Sequence, residues 1–192
     1  MTLDVRHADL AALEQEARRI AADVEAQYGG LSAAQLNWKP NAEEWSIGQN
    51  FDHILTANGT YFATLTDVVA GRKATRAWER VPLLPGAMGR MLVWSLDPKA
   101  ARKLTAPEVF QPSHTNVPGD IVATFLRQQE ELLSTMAQTQ SERALKTVIT
   151  SPASPLVTYS VLDAYRVIIV HEQHHLVGVE RLARLPDFQT VL

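Results

Sequence analysis

Between residues 46 and 70 the chain carries only two formally charged side chains, Asp52 and Asp67. Its apolar residues nevertheless recur at helical spacing. At about 100° per residue, Ile47, Phe51, Ile54, Asn58, Phe62, Leu65 and Val69 gather on one side, and Ser46, Asn50, His53, Ala57 and Thr64 form a second, small and polar stripe. A helix with so little to hold water must be covered by protein around most of its circumference. The two faces differ in chemistry, which predicts a central helix touching both a packed core and a cleft or a subunit contact. Ser46 is the predicted N-cap, and the helix is expected to end near Gly71.

Partners for such a helix are legible on either side. Residues 7–28 place Leu10, Leu13, Ala17, Ile20, Ala21 and Val24 at spacings of three and four, and Gly29 and Gly30 stop the pattern. Residues 31–44, with Trp38, Pro40 and Asn41, read as a connecting loop with one short turn after Ser32. Residues 72–115 are broken by Pro82, Pro85, Pro98, Pro107 and Pro112 around a short helical candidate at 86–95. A third long helix is expected to begin at Pro118 and run to about Gln138, with Ile121, Phe125, Leu126, Leu132, Leu133 and Met136 as its apolar members. Residues 146–155 read as extended loop, and a fourth helix covers 157–184, ended by Leu185 and Pro186. Four long helical patterns with few strand signals predict an all-α four-helix bundle. The long middle segment makes the connection between helices two and three an overhand crossover.

Composition narrows the chemistry. A chain of 192 residues buries roughly 70% of its unfolded surface and needs no structural staple, so one domain over residues 1–192 is expected. There is no cysteine, which excludes disulfides, thiolate nucleophiles, iron–sulfur clusters and thiolate zinc sites. Any metal must be held by histidine and carboxylate. Eighteen basic against twenty-one acidic residues give a net charge of −3, a poor basis for neutralising phosphates, so no nucleic-acid partner is expected. No stretch has the length and apolarity of a membrane span or signal peptide, and the expectation is a cytoplasmic protein without a membrane partner.

Three of the six histidines fall in His171-Glu-Gln-His174-His175 on the fourth helix. Val161, Ala164, Ile168, Val179 and Leu182 mark the buried face of that helix, while Asp163, Arg166, Glu180, Arg181 and Arg184 mark its solvent face. His171 and His175 project with the buried set, one turn apart, where two imidazoles can bind one divalent ion. His174 falls near the charged side and reads as a solvated surface histidine. His53, on the polar stripe of the nearly uncharged helix, is the best third ligand. Three nitrogens on two helices leave coordination positions open, as a catalytic site needs. Glu172 and Asp52 are candidate outer-shell acceptors, with solvated carboxylates as the simpler assignment.

The segment Leu36-Asn-Trp38-Lys-Pro40-Asn-Ala-Glu-Glu-Trp45-Ser46-Ile47-Gly48-Gln-Asn-Phe-Asp-His53-Ile54 resembles the first signature of the DinB-like superfamily, a tryptophan–proline loop leading into a helix with a metal histidine. His171-Glu-Gln-His174-His175-Leu176 resembles its second signature, and residues 102–112 are similar to a recurring middle segment. The resemblance implies an up-down-down-up four-helix bundle, a homodimer, and zinc, nickel, iron or manganese on three histidines, zinc and nickel ahead of the others. By position the ligands are His53, His171 and His175; the resemblance assigns His174 no role.

The resemblance also implies a range of activities. The superfamily includes metal-dependent transferases of low-molecular-weight thiols, a thiol-dependent isomerase branch and members without known activity. The leading expectation is a metal-dependent transferase that activates a small thiol for attack on an electrophile. Because the chain has no cysteine, that thiol must be imported. Metal-assisted hydrolysis and a non-catalytic, stress-associated metal-binding module are the alternatives. Trp38 and Trp45 are candidates for the pocket mouth, with loop packing the simpler role. Arg72, Lys73, Arg76 and Arg80 are candidates for a cosubstrate carboxylate, with a solvated basic segment preferred.

Overall fold

The computed structural model describes residues 3–80, 84–98, 110–112 and 116–191. Its helices are α1 (Leu10–Tyr28), α2 (Ala33–Asn37), α3 (Ile47–Val69), α4 (Leu84–Leu96), α5 (Ile121–Gln138), α6 (Glu142–Lys146) and α7 (Val161–Ala183). Two short strands, β1 (Val148–Thr150) and β2 (Thr158–Ser160), lie between α6 and α7.

The long helices α1, α3, α5 and α7 form the bundle. α1 and α3 each pack against both α5 and α7, so helices consecutive in the chain lie diagonally across the bundle. Phe51 meets Phe125, and Gln128 donates to the Leu55 carbonyl, so α3 and α5 run in the same direction. A chain leaving the end of α3 must therefore travel back along the bundle before starting α5. The crossover that does so carries α4, which packs on α7 and β2. Asn50 contacts His175 and Tyr61 contacts Tyr159, an antiparallel arrangement of α3 and α7 that brings the start of α3 beside the second half of α7.

Local chemistry sets the element starts. Ser46 caps α3 in a reciprocal box with Gln49, satisfying two otherwise orphaned backbone donors, and Ser32 and Gln35 repeat the device at α2. Most of α3 is buried, as its lack of charge requires, with Ile47, Phe51, Ile54 and Leu65 fully inside the core.

Several expectations are corrected. The third long helix starts at Ile121, not at Pro118. The expected loop over 146–155 instead begins a hairpin in which Ile149 pairs with Tyr159, both side chains wholly buried, and β2 displaces the start of α7 to Val161. Asp163, expected on the solvent face, is buried between Arg166, at 2.9 Å, and Gly89 of α4. The crossover covers that side of α7, which a helical wheel does not register. Residues 102–109 of the recurring middle segment, with Pro82 and Pro107, lie outside the described residues.

Candidate metal centre

His53 comes from the small polar stripe of α3, and His171 and His175 from successive turns of α7. The structure brings all three together: one nitrogen from each lies within 4.8 Å of the others. Ring centroids are 5.0 Å apart for His53 and His171, 4.4 Å for His53 and His175, and 4.6 Å for His171 and His175. The Nε2 atoms of His53 and His171 are separated by 3.0 Å. Two nitrogens at about 2.1 Å from a common ion, subtending roughly 90–110°, would stand about 3.0–3.4 Å apart, so the donor spacing fits a transition metal.

The surroundings fix which nitrogen faces inward. His53 donates through Nδ1 to the Phe110 carbonyl. His175 donates through Nδ1 to Asn50 Oδ1 at 3.2 Å, and Asn50 is itself oriented by donating to the Ser46 carbonyl at 2.8 Å. With Nδ1 engaged as a donor, each neutral ring turns an Nε2 lone pair toward the centre. Burial favours the uncharged form of every member. It lowers the pKa of His53, takes His171 down to about 3 with help from His53 and His174, and holds His175 well below the usual range. Neutral imidazoles are the form that binds metal.

The triad opens on a cavity of about 1200 Å³. Trp45 forms part of its wall, stacked on His175 at 14° and tilted against His53 with centroids 4.9 Å apart. Leu92 and Leu96 of α4, Phe110, and Ile168 and Leu182 of α7 supply apolar surface. Glu44 and Arg181 pair at the lining of the same cavity.

Three assignments change. His174 is not a solvated histidine. It lines the cavity, its ring lies 5.3 Å from that of His175, and its buried Nδ1 has no hydrogen-bond partner among the described residues. Glu172 is completely buried, its Oε1 accepting from Asn58 at 2.7 Å and Gln129 at 2.6 Å, and burial raises its pKa to about 8. Asp52 is buried as well. Of the tryptophans, Trp45 lines the cavity while Trp38 packs edge-on against Phe188. The basic segment is turned elsewhere: Arg72 pairs with Asp67, Lys73 with Glu79, Arg76 sits over Trp78, and Arg80 is exposed. The Phe110 carbonyl had no sequence signal, because a backbone acceptor delivered by a crossover leaves no residue-type trace.

Fold and site together define a four-helix bundle with a three-histidine pocket built between two of its long helices. The chain belongs to the DinB superfamily, whose family model matches residues 15–177. Among solved structures it is similar to YfiT from Bacillus subtilis, described as a probable metal-dependent hydrolase with an unusual four-helix bundle topology. That likeness has a TM-score of 0.55 at 14% sequence identity, covering 91% of this chain and 86% of the other, and it establishes the fold. No curated protein sequence matches the chain. Among the described residues, no helix is long and apolar enough to cross a membrane.

Proposed function

We propose that this protein is a metal-dependent enzyme in which His53, His171 and His175 hold a divalent transition metal, zinc or nickel ahead of iron or manganese, beside a substrate cavity. The observation that carries the reading is the convergence of three neutral imidazoles at the wall of a cavity large enough for small substrates. The reaction proposed is transfer of a low-molecular-weight thiol to an electrophile. When bound, the ion supplies Lewis acidity that lowers the pKa of a coordinated thiol.

The chain's own residues do the rest. Asn50 and the Phe110 carbonyl hold the His175 and His53 rings, and Trp45, Leu92 and Leu96 give the cavity apolar wall beside the triad. Glu172 has one carboxylate oxygen engaged by Asn58 and Gln129 inside the bundle, so it is not a base facing the cavity. The proton of a thiol acidified by the ion would pass to solvent in the cavity, which Glu43, Glu44 and His174 also line. Metal-assisted hydrolysis is the second reading, supported by the description of YfiT as a probable metal-dependent hydrolase. The proposal includes a single domain over residues 1–192 that acts as a cytoplasmic homodimer, and a monomeric mass by light scattering would remove the dimer.

The test is elemental analysis of purified protein, followed by assays pairing several small thiols with monochlorobimane. Metal in the wild type, its loss in His171→Ala, and thiol-dependent conjugation are expected. Bound metal with no conjugation for any thiol, together with ester or amide cleavage, would transfer the assignment to hydrolysis.

A further inference from the structure

Gly178 lies inside α7, three residues after His175 and on the same side of the helix. Glycine weakens a helix interior, and alanine strengthens it wherever a Cβ can be accommodated. At two other helical glycines a Cβ meets close contacts. A Cβ at Gly48 would lie 2.1 Å from Val117 Cγ2 and 2.8 Å from the Leu36 carbonyl oxygen, and one at Gly89 would lie 2.8 Å from Asp163 Oδ2. At Gly178 the only neighbour a Cβ would meet among the described residues is Asn50 Oδ1, at 4.0 Å. Among the described residues no packing demands glycine at this position, and alanine fits.

What Gly178 does border is the cavity. One turn before it stands His175 with Trp45 stacked on its ring, and one turn after it Arg181 pairs with Glu44. Across from it lies Asn50, which holds the His175 ring. The absent side chain leaves a bare strip of helix between the metal-ligating nitrogens and the ion pair.

We propose that this strip is the bed for the bulky part of the substrate and that Gly178 is a size-determining residue of the site. The ligand class is a compact donor group, directed at the triad, joined to a flat apolar body that lies over Gly178 beside Trp45. This rests on the reading that the three histidines hold a metal. Any side chain at 178 larger than methyl occupies the bed and leaves the smallest ligands unaffected.

The experiment uses Co(II)-loaded protein and its visible absorption, titrated with imidazole and with 4-phenylimidazole. Gly178→Leu is expected to weaken 4-phenylimidazole binding at least about tenfold more than it weakens imidazole binding, both read on the cobalt-loaded fraction. Gly178→Ala is expected to melt at a higher temperature than the wild type. Equal 4-phenylimidazole affinity in wild type and Gly178→Leu, or a lower melting temperature for Gly178→Ala, overturns the proposal. If the wild type takes up no cobalt, the metal reading falls separately. Calorimetric titration of the metal-free protein with 2-naphthol then decides Gly178: weaker binding to Gly178→Leu supports it, and equal or absent binding to both overturns it.

Discussion

Nε2 of His53 and Nε2 of His171 lie 3.0 Å apart although the two residues are separated by 118 positions in the chain. Because His53 donates from Nδ1 to the Phe110 carbonyl, its Nε2 is a lone pair, and only a proton or a metal ion can sit between the two rings. Adding an ion that binds the folded chain alone raises stability by mass action, about 2.7 kcal/mol at a free concentration one hundred times Kd. Calorimetric melts with zinc, nickel and chelator are expected to show that increase for the wild type and to lose it for His53→Ala and His171→Ala. An increase of equal size in His53→Ala would remove His53 from the ligand set.

Asn50 supports the same centre from one step away. Its Oδ1 accepts from His175 Nδ1 and its amide is anchored on the Ser46 carbonyl at the capped start of α3. Outer partners of this kind typically contribute about 10–100-fold to metal affinity. Asn50→Ala is expected to weaken binding within that range in chelator competition, with unchanged helical circular dichroism. Unchanged affinity would assign the orientation of His175 to Trp45 and its other neighbours instead.

The parts of this protein that sequence reading finds are those written locally. Ser46 before an apolar run, and His171 and His175 one turn apart, need only the helical period to be read. What it misses depends on residues supplied by other elements. Glu172 and Asp163 look like solvent-facing acids on a wheel, but amides from α3 and α5 meet the first, and α4 covers the second. The hairpin escapes for a similar reason. Its strands have three residues each, too short for a period, and are stabilised by burying Ile149 and Tyr159 against the bundle.

The setting of Glu172 makes a stability prediction. Both Asn58 and Gln129 donate to its Oε1, while Oε2 and the Gln129 Oε1 are buried with no partner among the described residues. Glu172→Gln retains an acceptor for the two amides and adds an NH2 donor, so it is expected to alter stability by no more than about 1 kcal/mol. Glu172→Leu strands both amide donors, at roughly 1–3 kcal/mol each. Urea denaturation separates these outcomes; equal loss in the two variants would rule out the hydrogen-bond account.

Acid sensitivity is expected to come in part from Glu79, whose side chain is wholly buried. Burial alone would raise its pKa, but Lys73 Nζ at 2.7 Å, the Arg76 amide at 2.8 Å and Thr150 Oγ1 at 2.8 Å outweigh it and hold the value below the usual 4.5. A carboxyl with a depressed folded-state pKa stabilises fully above its unfolded value and loses that contribution as pH falls through the folded one. Glu79→Gln should therefore be less stable than the wild type at neutral pH, by roughly 1–3 kcal/mol. The difference should shrink progressively below about pH 4.5. A gap that stays constant in urea melts between neutral and acid pH would show that ionisation of Glu79 is not responsible.

Two glycines within α3 are expected to respond oppositely to alanine. Neither Gly48 nor Gly59 has a positive φ, so the substitution meets no backbone strain at either. Gly59 is exposed and, among the described residues, a Cβ there finds only Gln128 Nε2, at 3.8 Å, so Gly59→Ala gains helix propensity, about 0.5–1 kcal/mol. At Gly48 the same atom would fall 2.1 Å from Val117 Cγ2 and 2.8 Å from the Leu36 carbonyl oxygen. One contact is with backbone, so the first turn of α3 must shift away from α2, at a cost of about 1–3 kcal/mol. His53 lies five residues further along that helix, so the shift should also loosen the candidate metal centre. Gly48→Ala is thus expected to lower both the melting temperature and the metal affinity, while Gly59→Ala raises the first and leaves the second unchanged. Stabilisation by both substitutions would mean that Gly48 is not clamped between Leu36 and Val117.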